Sequence, residues 1–175
     1  MPRDGVWTPA RDLDAAVLTA IGPATSDRVL ALTGRRSRAG VIDHLLVAPS
    51  GVWLVTPLAV KGKVEVARSA AEAPRLEVAG LNRSEAISTV AHQVAVVNAA
   101  MVDVEAAALV RGVLCIVTPK GLAAAPRQLG GALTFGDVAL LSPQDLAAQL
   151  QADGLLSAMD RTRIIRALAQ RFPAL

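Results

Sequence analysis

Several residue types from which binding sites are commonly built are scarce in this chain. Its single cysteine, Cys115, excludes an internal disulfide framework and a multi-thiolate zinc site. Two histidines, His44 and His92, leave little for histidine-based metal chemistry. With no tyrosine, two tryptophans and two phenylalanines, the chain is poorly equipped to bind nucleic acid by stacking bases on aromatic rings. A glycine-rich phosphate loop is also excluded, because Gly130-Gly131 lacks the strand-to-helix context of such loops.

Long apolar segments are missing as well. The two longest uncharged segments, residues 45–60 and 86–102, are interrupted by proline and glycine or by histidine, glutamine and asparagine. A helix that spans a bilayer needs ~20 mostly apolar residues, so neither segment predicts one. The first five residues lack the apolar run of a signal peptide. We therefore expect a cytoplasmic protein with no membrane partner, and the heavy use of alanine, valine, leucine and arginine favours a bacterial origin.

The composition that remains is typical of a folded core. Apolar residues make up 53% and charged residues 19% of the 175 residues, which is the opposite of the balance in disordered chains. This length predicts a single domain over residues 1–175. A net charge of +3 permits a polyanionic partner. So few charges also predict more apolar surface than a lone domain needs, which favours a protein partner or self-association.

The periodicity of the apolar residues predicts an α/β protein, bordering on α+β, with a central mixed sheet flanked by helices. The apolar run at residues 52–55 predicts a strand that is buried on both faces and follows the turn Pro49-Ser50-Gly51. The predicted elements are a helix at residues 12–21; strands at 28–32, 41–48, 52–56, 63–67, 75–79, 110–117 and 138–141; an exposed loop with Arg35, Arg36 and Arg38; and helices at 84–101, 143–150 and 158–171.

One block of the sequence is specific enough to indicate a family. It runs Val41-Ile42-Asp43-His44-Leu45-Leu46-Val47-Ala48-Pro49-Ser50-Gly51-Val52-Trp53-Leu54-Val55 and is followed by Lys61-Gly62-Lys63-Val64. The Ile-Asp-His triplet, the Pro-Ser-Gly-Val turn between apolar strands and the closing Lys-Gly resemble the pattern of the nuclease-related domain family, known as NERD. Asn82-Arg83, Gln93-Val94 and residues 110–115 are similar to later blocks of its actinobacterial members.

The resemblance implies a restriction-endonuclease-like core of the PD-(D/E)xK type. In such sites two acids on adjacent strands hold Mg²⁺ or Mn²⁺, and a lysine two residues after the second acid positions the attacking water. The resemblance places the first acid at Asp43 and a further metal-site acid on the first helix, where the spacing favours Asp14. The second acid falls on Thr56 and the lysine on Leu58. Since threonine carries no charge and leucine cannot donate a proton, Asp43 is expected to be vestigial and the other two positions degenerate.

Other residues remain candidates for the same site. Gln93 is expected either to line the cleft or to lie on a solvated helix face. Glu65 is an alternative acid, and a displaced lysine is an alternative to Leu58. The candidate contacts to nucleic-acid phosphates, for which a solvated surface is the alternative interpretation, are Arg35, Arg36, Arg38, Lys61 and Lys63.

The sequence thus favours a catalytically degenerate nuclease-like domain that acts as a nucleic-acid-binding or protein-interaction module. DNA, held through its phosphates, is the first candidate partner. One alternative is a structural or assembly subunit of a larger bacterial complex. The other is a residual nuclease, in which Mg²⁺ or Mn²⁺ would be held by Asp43 and Asp14; the leading hypothesis needs no cofactor.

Overall fold

The structure, a computed structural model, describes residues 15, 17–19, 22, 28–104, 108–117 and 133–175. Within these residues the chain has an α/β fold, as predicted. The strands are β1 (Leu30–Ser37), β2 (Gly40–Ala48), β3 (Gly51–Ala59), β4 (Val64–Ala67), β5 (Arg75–Val78), β6 (Leu81–Asn82), β7 (Val110–Val117), β8 (Leu133–Phe135) and β9 (Val138–Leu141), and the helices are α1 (Ser84–Ala100), α2 (Pro143–Gln151) and α3 (Ala158–Arg171). Of the predicted first helix, residues 15 and 17–19 are helical, and Asp14 lies outside the described residues.

The central sheet is mixed and has six strands in the order β1-β2-β3-β7-β9-β8. The first three strands form an antiparallel meander, β3, β7 and β9 are parallel, and β8 is antiparallel to β9. A small antiparallel sheet of β4, β5 and β6 precedes α1 in the connection from β3 to β7. The long connection is expected, because parallel neighbours need a crossover.

Apolar side chains alternate between the two faces of the central sheet, as the pleat requires. Along β3, Val52 and Leu54 belong to the core cluster that α1 and α3 complete, on what we name the α1 face. Trp53 and Val55 belong to the cluster that α2 completes, on the α2 face. All five residues from 51 to 55 are buried. The prediction of a strand buried on both faces is confirmed, and so is a sheet flanked by helices.

Local sequence signals set the ends of the helices in the second half of the chain. Ser142 accepts a hydrogen bond from the backbone N–H of Asp145, with Pro143 at the first helical position. Ser157 and Asp160 form a reciprocal capping box at the start of α3, and these hydrogen bonds lower the pKa of Asp160 below its usual value. No helix in the described part of the chain is both long and apolar enough to cross a membrane.

The predicted loop at Arg35, Arg36 and Arg38 is wrong for the first two residues, which lie within β1. β1 extends to Ser37 because its residues 35–37 pair with residues 40–42 of β2. Residues near the C-terminus also bond to its outer edge. The N–H of Arg36 donates to the carbonyl of Pro173 at 2.9 Å, and the N–H of Leu175 donates to Gly34 at 3.1 Å. A partner so remote in sequence leaves no local pattern. Arg38 lies in the turn between β1 and β2.

Candidate nucleic-acid interface

The candidate site lies where β2 and β3 stop pairing. Their ladder runs from Ala48 opposite Gly51 to His44 opposite Val55, although β3 continues to residue 59 alongside β7. In an antiparallel hairpin with a two-residue turn, every second pair of opposed residues exchanges two backbone hydrogen bonds. The pair 44–55 is the last of these, and the next one, 42–57, would require an N–H from residue 57. That residue is Pro57, which has no N–H to donate. The missing donor explains why the ladder ends here.

Asp43 occupies an irregular position on β2, directly before the last paired residue. Gly34, its expected partner on β1, has a φ of 54° and is absent from the otherwise continuous β1–β2 ladder. Alternation of the side chains also breaks at this point, because Ile42 packs in the same cluster as Leu45 and Val47. We infer a local distortion of the strand at Asp43, of the kind that re-aims side chains in sheets.

Thr56 and Leu58, the positions at which the resemblance implies an acid and a lysine, lie on β3 next to this distortion. If the β2–β3 register continued by one residue, Thr56 would lie opposite Asp43, although the paired ladder ends before both. Thr56 is half-buried, and its hydroxyl oxygen is buried without a hydrogen-bond partner. Leu58 is also half-buried and packs against the core cluster of the α1 face. An apolar contact has therefore taken the place that the resemblance reserves for a catalytic lysine.

Gln93 connects α1 to this part of β2. Its side chain is 3% exposed, so its placement on a solvated helix face is wrong. The side-chain amide nitrogen Nε2 donates to the carbonyl of Val41 at 2.8 Å, which supplies a partner where β3 no longer pairs with β2. The other end of the amide, Oε1, is buried without a partner. Gln93 thus holds the helix against the separated end of the strand.

These residues do not fit a divalent cation. Mg²⁺ prefers several hard oxygen ligands, usually including carboxylates. Within the described ranges, no three His, Cys, Asp or Glu side chains come together closely enough to hold a metal ion. Glu65, the alternative acid, forms an ion pair with Lys63 on the exposed surface. Of the positions that the resemblance assigns to a site with Asp43, Thr56 carries a hydroxyl and Leu58 an aliphatic side chain, and Asp14 lies outside the described residues.

Three arginines surround a groove on the same side of the molecule as the ends of α1 and α3. The cavity measures about 520 Å³, and its polar lining includes Arg36 and Arg38, from β1 and the following turn, and Arg171 from the end of α3. We name it the arginine groove. Its floor is apolar and consists of Val96, Ala99, Ala100 and Phe172.

The charges of the arginine groove are only weakly compensated. Arg36 and Arg38 are exposed, and neither forms an ion pair with any carboxylate among the residues described. Arg171 lies 4.0 Å from Asp103, a carboxylate that is itself 87% exposed. Exposed pairs at this distance contribute little, because water screens them. The groove can therefore accept the oxygen atoms of an anion.

The structure separates the predicted phosphate contacts into two sets. Arg36 and Arg38 line the groove together, whereas Lys61 and Lys63 are exposed on the segment between β3 and β4 and are absent from its lining. Arg35 is half-buried, with its Nε atom enclosed and without a hydrogen-bond partner.

Sequence reasoning missed Arg171 as a member of this set. Arg171 is one of the arginines of α3, and its place in the last turn of the helix is favoured by the helix dipole without any ligand. Nothing local distinguishes Arg171 from the others, because it joins the groove only through the pairing of the C-terminal residues with β1.

The central cysteine is remote from this chemistry. Cys115 is fully buried on β7, as its apolar surroundings predict, and burial raises the pKa of its thiol to about 12. A thiol with such a pKa stays protonated at neutral pH and is a poor nucleophile. Cys115 is therefore a packing residue.

Comparison with known proteins identified no relative of this chain. No protein-family model, no curated protein and no solved structure matches the chain. The nuclease-related resemblance therefore rests on the residues around Asp43 and remains a prediction.

Proposed function

We propose that this protein is a catalytically degenerate, nuclease-related domain that binds nucleic acid through its phosphates in the arginine groove. The observation that carries the proposal is the convergence of Arg36, Arg38 and Arg171 on one groove with little compensating charge. The loss of catalysis is supported by Thr56 and Leu58 at the positions of an acid and a lysine. A domain of this kind would still bind nucleic acid but would no longer cleave it.

Arginine is well suited to this role. Its planar guanidinium group presents several N–H donors that match the spacing of phosphate oxygens. Contacts to phosphates position a protein on nucleic acid without reading its sequence. Because such contacts release counterions, three of them predict a slope of roughly −2 to −3 for log K against log salt concentration.

The test is fluorescence anisotropy of end-labelled single- and double-stranded DNA over a series of salt concentrations. We expect binding at low salt that weakens along this slope. The double variant Arg36→Ala/Arg38→Ala is expected to weaken binding strongly and to flatten the slope by about 2, one unit for each phosphate that the variant no longer neutralises.

A matched control removes the same charge elsewhere. Arg83 and Arg166 are exposed and do not line the groove, so Arg83→Ala/Arg166→Ala should leave most of the affinity in place. Equal losses in the two double variants would mean that net charge alone drives binding. No binding of either DNA at low salt would overturn the proposal.

The assembly alternative is favoured by a different observation. Leu155 is 100% exposed and Met159, four residues later at the start of α3, is 73% exposed. Apolar side chains with this exposure are typical of protein interfaces when they form a continuous patch. If they form a contact between copies, light scattering coupled to size-exclusion chromatography should show a dimer that Leu155→Ser/Met159→Ser converts to monomer. A monomer at high concentration before any substitution would contradict this alternative.

A further inference from the structure

A second cavity lies at the end of the central sheet where β7 and β9 begin. It measures about 400 Å³ and is separate from the arginine groove, with which it shares no lining residue. Its most informative lining residues are Trp53, Asn98, Arg111, Asp137 and Gln149. The inference drawn from it does not depend on the proposed binding of nucleic acid.

Arg111 is the unusual residue of this cavity. It lies on β7, an interior strand whose other side chains are apolar, and it is half-buried. The β3–β7 register pairs it with Trp53, and its guanidinium carbon lies 4.8 Å from the centre of the indole ring. None of the carboxylates in the described residues forms an ion pair with it. A half-buried cation is thus held by an aromatic face alone.

The contact with Trp53 leaves N–H donors of the Arg111 guanidinium group available, since an aromatic ring attracts the cation through its charge. The group carries five N–H donors, more than a contact with one ring can use. Its N–H donors point outward in the plane and can bind two carboxylate oxygens at once. Trp53 is itself fixed, because its indole N–H donates to the hydroxyl of Ser50 at 3.2 Å. The donor edge is therefore preorganised.

We propose that this cavity binds a small organic carboxylate with an apolar body, held by Arg111. The apolar body would contact the aliphatic part of the lining on the α2 face, where Ala139 and Leu141 lie with Trp53. Since ligands fill only part of such a cavity, this volume suits a molecule of roughly 9–15 non-hydrogen atoms.

The charge of the cavity favours a monoanion. Gly112 on β7 lies opposite Val138 on β9. Arg111 and Asp137, the residues directly before these two, therefore lie at the same end of the adjacent strands. Asp137 is exposed at the rim and would repel a second negative charge. A phosphate dianion therefore suits the arginine groove, with its three cations, better than it suits this cavity.

The test uses three carboxylates, benzoate, 3-phenylpropanoate and cyclohexanecarboxylate, each beside its neutral amide. In a Trp7→Phe variant, Trp53 is the remaining tryptophan, so its fluorescence reports on the cavity. The Nε–H signal of Arg111 in ¹⁵N NMR spectra gives a second readout. We expect at least one carboxylate to change both signals saturably. Its amide should bind at least about tenfold more weakly, because the amide lacks the charge.

Variants separate the role of Arg111 from a structural one. Arg111→Lys keeps the charge and loses the planar fork, so we expect carboxylate affinity to fall about tenfold. Asp137→Asn should leave carboxylate affinity unchanged or raise it, and Arg83→Lys, far along the chain on another element, should have no effect. Circular dichroism and unfolding curves verify that each variant is folded.

Three results would overturn the proposal. The first is that no carboxylate changes either signal of the folded protein at millimolar concentration. The second is that amides bind as well as their carboxylates, which would mean that Arg111 only covers Trp53. The third is that inorganic phosphate binds more tightly than every carboxylate, which would reassign the cavity to phosphate.

Discussion

The two halves of β3 are held in different ways. Residues 52–55 pair with β2 on one side and with β7 on the other, and all are buried. Residues 56–59 pair with β7 alone and are half-buried. The first half is scaffold, whereas the second half carries both positions at which a nuclease of the resembled family would hold its acid and lysine. The comparison shows how one proline can release part of an interior strand from its neighbour.

The largest expected difference between the halves is in stability. Leu54→Ala, in the doubly paired half, removes a fully buried side chain and should lower the free energy of unfolding by about 2–5 kcal/mol. Leu58→Ala, in the other half, removes a partly buried side chain and should cost about half as much. Urea unfolding measures both values. Equal losses would mean that the second half is packed as firmly as the first.

The next effect tests whether Gln93 replaces the missing pairing of β2. Gln93→Met keeps the length of the side chain but removes its donor, which leaves the Val41 carbonyl without its 2.8 Å partner. We expect a loss of about 1–3 kcal/mol in the free energy of unfolding. Gln170→Met, at an exposed position of α3, is the matched control and should change it by less than about 0.5 kcal/mol. Similar values for the two variants would contradict this role for Gln93.

The third prediction concerns a variant that introduces the acid and the lysine implied by the resemblance. The variant Thr56→Asp/Leu58→Lys should be less stable than the parent by about 1–3 kcal/mol, because it places two charged groups at half-buried positions. If Asp43 faces residue 56, Mg²⁺ should recover about 1.4 kcal/mol at ten times its dissociation constant. Thermal unfolding with and without Mg²⁺ measures this gain. A parent protein stabilised as much as the variant would show that the parent already binds the cation.

The smallest expected effect on stability lies in the arginine groove. Arg36→Ala/Arg38→Ala removes exposed side chains without ion pairs, so the free energy of unfolding should change by less than about 0.5 kcal/mol per residue. Urea unfolding of this variant, compared with its affinity for DNA, separates binding from folding. A large loss of stability would make the arginines structural and would remove them as binding residues.

Much of the fold follows from local sequence patterns. The strand at residues 110–117 and the helix at residues 158–171 have the predicted bounds, because a continuous apolar run and helical spacing are each encoded within a few residues. The short strands β6 and β8 were missed, since two or three residues carry too little periodicity.

The candidate site was less predictable because its contacts join distant parts of the chain. Gln93 lies 52 residues from Val41, and Arg171 reaches the groove only because the C-terminal residues pair with β1. Asp43 and Thr56 lie on the two strands of one hairpin, which the local sequence predicts. Local pattern therefore predicts the hairpin, whereas tertiary contacts assemble the groove.

The central claim, binding without cleavage, is tested most directly by following one labelled DNA for both properties. Protein and DNA are incubated with Mg²⁺ or Mn²⁺, anisotropy is recorded, and the same samples are then resolved on a denaturing gel beside those of an Asp43→Ala variant. We predict raised anisotropy and DNA of unchanged length, with and without Asp43. DNA that is shortened by the parent protein and left intact by the Asp43 variant would contradict the account, because it would show a working site despite Thr56 and Leu58.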